Sequence, residues 1–192
     1  MLAQELGLFV EGHFVSTNGK HLARYINKDK LYKDLFQTNR FCNALARYFE
    51  KDQIEVVIGP QTGGAKIAGF IAENLSKLIG HPLLSINARK DGNGGFTFPC
   101  RGAKYISGLR ALIVDDVATT GGSGKKVVSL VRECGGIVAG FGLLFNRGNV
   151  TRENLGGVDK LESLIFVPME SWDPKACPLC NAGMPVQPKP RG

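Results

Sequence analysis

Ala111-Leu112-Ile113-Val114 is a short, unbroken apolar run, the pattern of a strand covered on both faces. Asp115-Asp116 follows, then Val117-Ala118-Thr119-Thr120-Gly121-Gly122-Ser123, and then residues 125–132 with helical spacing. A strand, a small-residue loop and a helix start together make an anion site. The N–H groups of the first helical turn lack intrahelical partners, and the helix dipole favours negative charge. The two carboxylates, predicted to sit where the strand ends, would repel a phosphate. They fit a ligand with phosphate at one end and hydroxyls or a metal ion at the other, as in a ribose 5-phosphate.

Alternation of the same kind runs through the chain. Residues 55–58 form another apolar run, Gly59-Pro60-Gln61-Thr62-Gly63-Gly64 reads as a turn, and residues 65–79 as an amphipathic helix capped by Gly80. Residues 83–87, 137–145 and 164–167 read as further strands. Residues 30–50 read as a helix, with Leu31, Leu35, Leu45 and Tyr48 spaced nearer to three or four than to two. Residues 89–108 are Gly-rich and aperiodic, which predicts a functional lid. The alternation predicts an α/β fold, a mostly parallel sheet flanked by helices. Ligands of such sheets bind at the carboxyl ends of the strands. Gly59-Pro60-Gln61-Thr62, Asp115-Asp116 and Asn146-Arg147 all fall there and should converge on one edge. Residues 1–172 read as one domain and residues 173–192 as a Pro-rich extended tail.

Two other phosphate-binding patterns fail on spelling. Gly124-Lys125 has Thr119 where a Walker A loop needs glycine, and Lys126 where it needs Ser or Thr. Gly92-Asn93-Gly94 continues to Thr97, not to the third glycine of a dinucleotide fingerprint. No apolar run approaches the ~20 residues of a membrane span. Met1-Leu2-Ala3-Gln4-Glu5-Leu6 lacks the regions of a signal peptide, so a cytoplasmic location without membrane attachment is expected. The formal charge of +7 suits steering of anionic substrates, because aromatics do not interleave with a basic patch as in nucleic-acid binders.

Five cysteines, an odd number, argue against a disulfide framework. Cys42 and Cys134 fall in helical patterns and read as core residues. Cys177-Pro178-Leu179-Cys180 is a C-x-x-C pair, whereas a structural zinc site needs four ligands. His13, His21 and His81 lie far off in sequence, so a compact turn is expected there and no metal is assigned to protein ligands.

The segment 111–123 resembles the binding signature of the type I phosphoribosyltransferases: a hydrophobic strand, an acidic pair and a Thr/Gly-rich loop. Other segments are similar to the orotate enzymes of that family. Gly12-His13-Phe14-Val15-Ser16-Thr17-Asn18-Gly19-Lys20-His21, with Arg24-Tyr25-Ile26-Asn27-Lys28, resembles their N-terminal hood. Val57-Ile58-Gly59-Pro60-Gln61-Thr62-Gly63-Gly64 resembles their pyrophosphate loop, and Phe145-Asn146-Arg147 the strand end whose Arg meets the orotate carboxylate. The Cys-Pro-Leu-Cys ending resembles that of a bacterial and archaeal subgroup.

The resemblance implies a small N-terminal hood and a Mg²⁺-dependent transfer of phosphoribosyl from phosphoribosyl pyrophosphate (PRPP) to orotate, a step of pyrimidine biosynthesis. It implies Asp115, Asp116 and Lys90 as catalytic residues, with Mg²⁺ carried by PRPP. It implies PRPP contacts from Thr62, Gly63, Gly64, Arg89, Lys90, Asp115, Asp116, Val117, Ala118, Thr119, Thr120, Gly121, Gly122 and Ser123. Thr119, Arg147, Tyr25 and Ile26 are the implied orotate contacts. A homodimer is implied, with no nucleic-acid partner. Departures are visible too: Thr17 stands where many orotate enzymes have a hood lysine, and Asp91-Gly92-Asn93-Gly94-Gly95 follows Arg89-Lys90 in place of a more basic loop. The loop's cationic role then rests on Lys90, or passes to Arg101 or Lys104. Transfer to another base, and a PRPP-responsive regulator without catalysis, stay open as alternatives.

Overall fold

Residues that the sequence marks as apolar on both sides build the central sheet. All of Val56–Pro60 is buried, as are the four consecutive residues Ala111, Leu112, Ile113 and Val114. The computed structural model describes residues 2–16, 18–99 and 102–190, so Thr17 and Arg101 lie outside the described residues. Two compact units result, residues 1–38 with 168–192, and residues 39–167. In chain order the elements are α1 (Leu2–Glu5), β1 (Phe9–Val15), β2 (His21–Ile26), α2 (Lys28–Lys33), α3 (Leu35–Ala46), β3 (Val56–Pro60), α4 (Gly63–Ile79) and β4 (Leu84–Lys90). They continue as β5 (Phe96–Thr97), α5 (Gly102–Ile106), β6 (Arg110–Ala118), α6 (Gly122–Glu133), β7 (Ile137–Asn146), β8 (Leu161–Phe166), β9 (Ser171–Trp172) and α7 (Pro178–Asn181).

The larger unit holds a six-stranded sheet in the order β5-β4-β3-β6-β7-β8. Every pairing is parallel except β4 with β5. The expected α/β architecture is therefore present. From β3 the chain crosses through α4 to β4 on one side, and from β6 through α6 to β7 on the other. Right-handed crossovers in opposite directions put α4 and α6 on opposite faces. Packing agrees: Val56, Ile58, Ala111 and Ile113, alternate residues of β3 and β6, cluster with Val127, Val128 and Val131 of α6. In α4, Ile67, Ala68, Ile71, Ala72 and Leu75 form the buried stripe, and the helix ends as expected at Gly80, with φ 81°. β3 and β6 are thus neighbours whose connections diverge. Such a switch point leaves a crevice at the strands' carboxyl ends.

The smaller unit is an antiparallel β1–β2 hairpin extended by β9, with His21 opposite Trp172. Leu8, Phe14, Leu22 and Leu31 fill its interior. Its C-terminal part is folded rather than extended. Residues Pro174–Ala176 form a 3-10 turn and Pro178–Asn181 a helical turn, because each begins with proline, which suits a first helical position. The Gln187 N–H then donates to the His13 carbonyl at 2.7 Å. Folding also brings His13 and His21, remote in sequence, beside Cys177 and Cys180.

Several boundaries differ from expectation for identifiable reasons. The single helix expected over residues 30–50 is broken at Asp34, an extended residue whose carboxylate accepts the Gln37 N–H at 3.0 Å. That is cap behaviour, which competes with helix continuation. β6 runs on past the acidic pair to Ala118, because β7 offers ladder partners as far as Asn146. β8 likewise starts earlier, at Leu161. Residues 89–108 are not a structureless loop. β4 extends to Lys90, pairs with β5 in a hairpin, and α5 follows. A two-residue strand is too short to show period-two alternation, and the Asp91 carboxylate shapes the tip by accepting the Asn93 and Gly95 N–H groups at 2.8 Å each.

Cys42 on α3 is fully buried, and burial pushes its thiol up to about 12. Only thiolate attacks disulfide reagents, so Ellman's reagent at mildly alkaline pH should leave Cys42 unmodified in the folded chain. Unfolding in guanidinium should expose it, with mass spectrometry identifying the labelled residue. Rapid native-state labelling of Cys42 would contradict this packing.

Candidate functional site

Two glycines at the start of α4 let it meet β6. A Cβ at Gly63 would fall on the Asp116 carboxylate, and one at Gly64 on the Val114 carbonyl. The start of α4 therefore lies directly on β6, with Asp116 only 4% exposed against it. Thr62 is the N-cap of α4 and makes no side-chain capping hydrogen bond. The Gln61–Thr62 peptide is cis. Gln61 ties this turn to β4: its N–H donates to the Ala88 carbonyl at 2.8 Å, and its Oε1 accepts the Lys90 N–H at 3.3 Å.

On β6 each carboxylate is oriented by the backbone of the next residue. Asp115 Oδ1 accepts the Asp116 N–H at 2.9 Å, and Asp116 Oδ1 accepts the Val117 N–H at 2.7 Å. After Ala118 the chain turns through Thr119 and Thr120 to Gly121, whose φ of 77° is left-handed and where an added Cβ would crowd Val150 and Asn154. Gly121 caps α6 without a side-chain hydrogen bond. Two helices thus begin at the same switch point with no cap bond from the side chain of the N-cap residue, each presenting the positive end of its dipole; at α6 the Gly122 N–H donates to Thr120 Oγ1 at 3.4 Å.

Beside them, β7 ends in Asn146, a buried amide. It donates to the Val150 carbonyl at 2.8 Å and accepts the Val150 N–H at 2.9 Å, closing the loop that carries Arg147. The Arg147 N–H donates to Ala118 O at 3.0 Å, and its Nε donates to Thr119 Oγ1 at 2.8 Å. A Cβ at Gly148 would overlap the Thr119 carbonyl. Arg147 and Thr119 are therefore held together by both main chain and side chain.

Arg89 and Lys90 are exposed at the carboxyl end of β4, on the same edge of the sheet. The hairpin tip beyond them accepts a hydrogen bond at Gly94 O from Lys126 Nζ of α6, at 2.5 Å. Thr62, Gly63, Gly64, Asp115 to Ser123, Arg89, Lys90 and Arg147 thus share the strands' carboxyl edge, where the sequence led us to expect the clusters 59–62, 115–116 and 146–147. Tyr25 and Ile26 lie on β2 of the other unit. Tyr25 packs against Phe14 with ring centroids 5.6 Å apart, and the Ile26 side chain is buried. Sequence reasoning placed Gln61 and Asn146 in polar clusters at this edge without giving either a role in the framework, and it missed Lys126. The signal for Asn146 was an amide at a strand end before Gly148-Asn149, a common loop former. A separate groove of about 660 Å³, lined by Glu73, Ser76, Lys77, His81 and Leu83 among others, lies by the start of β4, away from this edge.

The arrangement suits one kind of ligand. Two helix starts accept two anionic groups, the carboxylates between them take hydroxyls, and a guanidinium beside them takes a planar acid.

Comparison with known proteins gives the family. The phosphoribosyl transferase domain family matches residues 30–175. An orotate phosphoribosyltransferase of Desulforamulus reducens is 36% identical over 180 residues, covering 94% of this chain and 88% of that protein. Another, of Caldicellulosiruptor saccharolyticus, is 35% identical over 178 residues, covering 92% and 87%. The crystal structure of orotate phosphoribosyltransferase from Aeropyrum pernix superposes with a TM-score of 0.67 at 30% identity, covering 86% of this chain and 93% of that one.

Gly148→Ala tests the Thr119 contact. The added methyl overlaps backbone, which cannot move aside as a side-chain tip can, so stability should fall by about 1–3 kcal/mol. Urea unfolding measures it, and an unchanged midpoint would show that the loop relaxes freely.

Proposed function

Because the chain belongs to the phosphoribosyl transferase family, we infer that it transfers the phosphoribosyl group of PRPP to orotate, releasing pyrophosphate and forming orotidine 5′-monophosphate. The observation that carries the reading is the seating of Asp116 on Gly63, which joins the acidic pair to the start of α4 at the sheet's switch point. The orotate enzymes of Desulforamulus reducens and Caldicellulosiruptor saccharolyticus match over nearly the whole chain, which supports orotate as the acceptor.

In this reading the α6 start, from Thr119 to Ser123, holds the 5-phosphate, and the α4 start, from Thr62 to Gly64, holds pyrophosphate oxygens. Orotate nitrogen bonds to the anomeric carbon as the bond to pyrophosphate breaks, its electron pair leaving with pyrophosphate. Breaking runs ahead of making, so positive charge builds on the ribose. Asp115 and Asp116 orient the ribose hydroxyls and stabilise that charge. Arg89 and Lys90 neutralise the leaving group, and the β4–β5 hairpin that carries them closes to exclude water. Arg147, steadied by Thr119, grips the orotate carboxylate through paired hydrogen bonds.

The family implies a divalent cation. Hard carboxylate oxygens at Asp115 and Asp116, each already accepting a backbone N–H, suit Mg²⁺ held mainly by substrate oxygens. When bound, Mg²⁺ supplies charge neutralisation for the departing pyrophosphate. The reading extends to a homodimer acting in the cytoplasm. No helix among the described residues is long and apolar enough to cross a membrane.

Incubation of the purified protein with PRPP, Mg²⁺ and a panel of bases tests the reaction. Orotidine 5′-monophosphate should form from orotate, while uracil, which lacks the carboxylate, should react poorly. Comparable use of uracil or a purine would move the acceptor assignment elsewhere. Arg147→Ala should raise the KM for orotate roughly ten- to a hundredfold, the worth of a charge-assisted bidentate contact, and barely affect that for PRPP. Asp115→Asn and Asp116→Asn should keep the fold and sharply lower turnover at saturating PRPP. Full turnover in both would remove the acidic pair from the chemistry.

Hydrogen exchange reads the closing hairpin. Amides of residues 91–97 should gain protection on adding PRPP and Mg²⁺. Equal exchange in both states would leave the hairpin without a closing role.

A further inference from the structure

The smaller unit contains a cluster that the proposed reaction does not use. His13, His21, Cys177 and Cys180 gather so that one ligand atom from each lies within 4.8 Å of all the others. We propose that these four side chains bind a structural zinc ion, a closed Cys₂His₂ site that fastens the two ends of the chain together.

Backbone geometry explains the convergence. In the β1–β2 hairpin Phe14 pairs with Leu22 and Val15 with His21, so His13 and His21 are diagonal neighbours on one face. Cys177 is the N-cap of α7 and Pro178 its first residue, so Cys177 and Cys180 span a single helical turn. Pro178 preorganises that turn. His13 and Cys177 are fully buried, His21 is 8% exposed, and Cys180 lies at the rim.

The distances approach those of a tetrahedron. Zinc bonds of about 2.3 Å to sulfur and about 2.0–2.1 Å to nitrogen put tetrahedral N···S edges near ~3.6 Å. Cys177 Sγ is 3.6 Å and Cys180 Sγ 3.8 Å from His13 Nε2, and Cys180 Sγ is 3.3 Å from His21 Nδ1. The His13 Nε2 to His21 Nδ1 separation of 2.8 Å is shorter than the roughly 3.3 Å N···N edge, so metal entry requires only a small parting of the rings. His13 also has the outer support usual for a metal-bound imidazole. Its Nδ1 donates to the Met184 carbonyl at 2.7 Å, which leaves the Nε2 lone pair facing the cluster. Two thiolates and two imidazoles are a donor set that selects zinc over Mg²⁺. All four positions of the tetrahedron are taken by protein, so the site has a structural rather than a catalytic character.

Size supplies the reason. A unit made only of residues 1–38 and 168–192 has little interior of its own, and units this small commonly need a disulfide or a metal. Metal-binding free energy is then folding free energy for this unit.

Metal analysis of the full chain, reconstituted with Zn²⁺ under reducing conditions and desalted, tests the assignment. A single zinc per chain is expected. Co²⁺ in its place should show the visible bands of a tetrahedral site with thiolate charge transfer. Cys180→Ser, at the exposed rim, should keep the far-ultraviolet circular dichroism of the parent and weaken Zn²⁺ binding at least roughly tenfold. The Cys177→Ser/Cys180→Ser double variant should hold no metal, and His81→Ala should bind as the parent does. Chelation should raise hydrogen exchange in residues 9–26 and 171–187. A folded, reduced chain that retains no zinc overturns the proposal, as does an octahedral Co²⁺ spectrum or a double variant that binds like the parent. A Cys177–Cys180 disulfide in the protein purified under reducing conditions overturns it as well.

Discussion

The approach of α4 to β6 at Gly63 is the constraint on which the site depends. Neighbouring parallel strands whose connections diverge leave a crevice, but a crevice is not yet a binding site. Here the first residue of α4 has no side chain, and the Asp116 carboxylate occupies the space a Cβ would take. Gly64 allows the same closeness to the Val114 carbonyl, and Gly59 to the Gly64 main chain. Three glycines within six residues thus bring a helix dipole, a cis peptide and an acidic pair to one place. Arg147 reaches the same edge by a different route. Asn146 closes its loop, Gly148 lets that loop lie on Thr119, and the Arg147 N–H extends the ladder to Ala118.

Long-period features of this fold were legible in the sequence. β3 and the centre of β6 are continuous apolar runs, and α4 carries a full amphipathic stripe with a glycine cap, so each local pattern agrees with its tertiary setting. What was illegible depends on pairing. Nothing in Asp115-Asp116-Val117-Ala118 announces a strand; the ladder to β7 makes it one. β5, at two residues, has no period to read, and Asp34 interrupts a helical pattern by capping the helix that follows it.

The site divides in the same way. Residues that must be glycine, or acidic, or a loop hydroxyl stood out because their chemistry is local. Gln61 and Asn146 could be placed at the edge but not given a task, because their hydrogen-bond partners at Lys90 and Val150 are not revealed by the chain order. The four-residue cluster of His13, His21, Cys177 and Cys180 is the extreme case. Each half is an ordinary short motif, and only a β hairpin at one end and a prolyl turn at the other give them a common centre.

Placing Asp116 at 4% exposure in the crevice that the proposed reaction fills with anions sets two demands against each other. A buried carboxylate needs donors, and so does a phosphate. The Val117 N–H meets part of the first demand, at 2.7 Å, and the start of α4 contributes its positive dipole end from the other side. In the proposed reading that helix end is shared between a fixed carboxylate and a visiting anion. Sharing keeps the crevice from being uniformly positive, which would favour any polyanion alike. An anion that also brings hydroxyls to Asp115 and Asp116 gains contacts that inorganic phosphate cannot make. In the proposed reading, selectivity for a phosphorylated sugar over phosphate alone follows from putting two acids where the dipole is strongest, while the excess of Lys and Arg over the whole chain supplies the attraction at longer range.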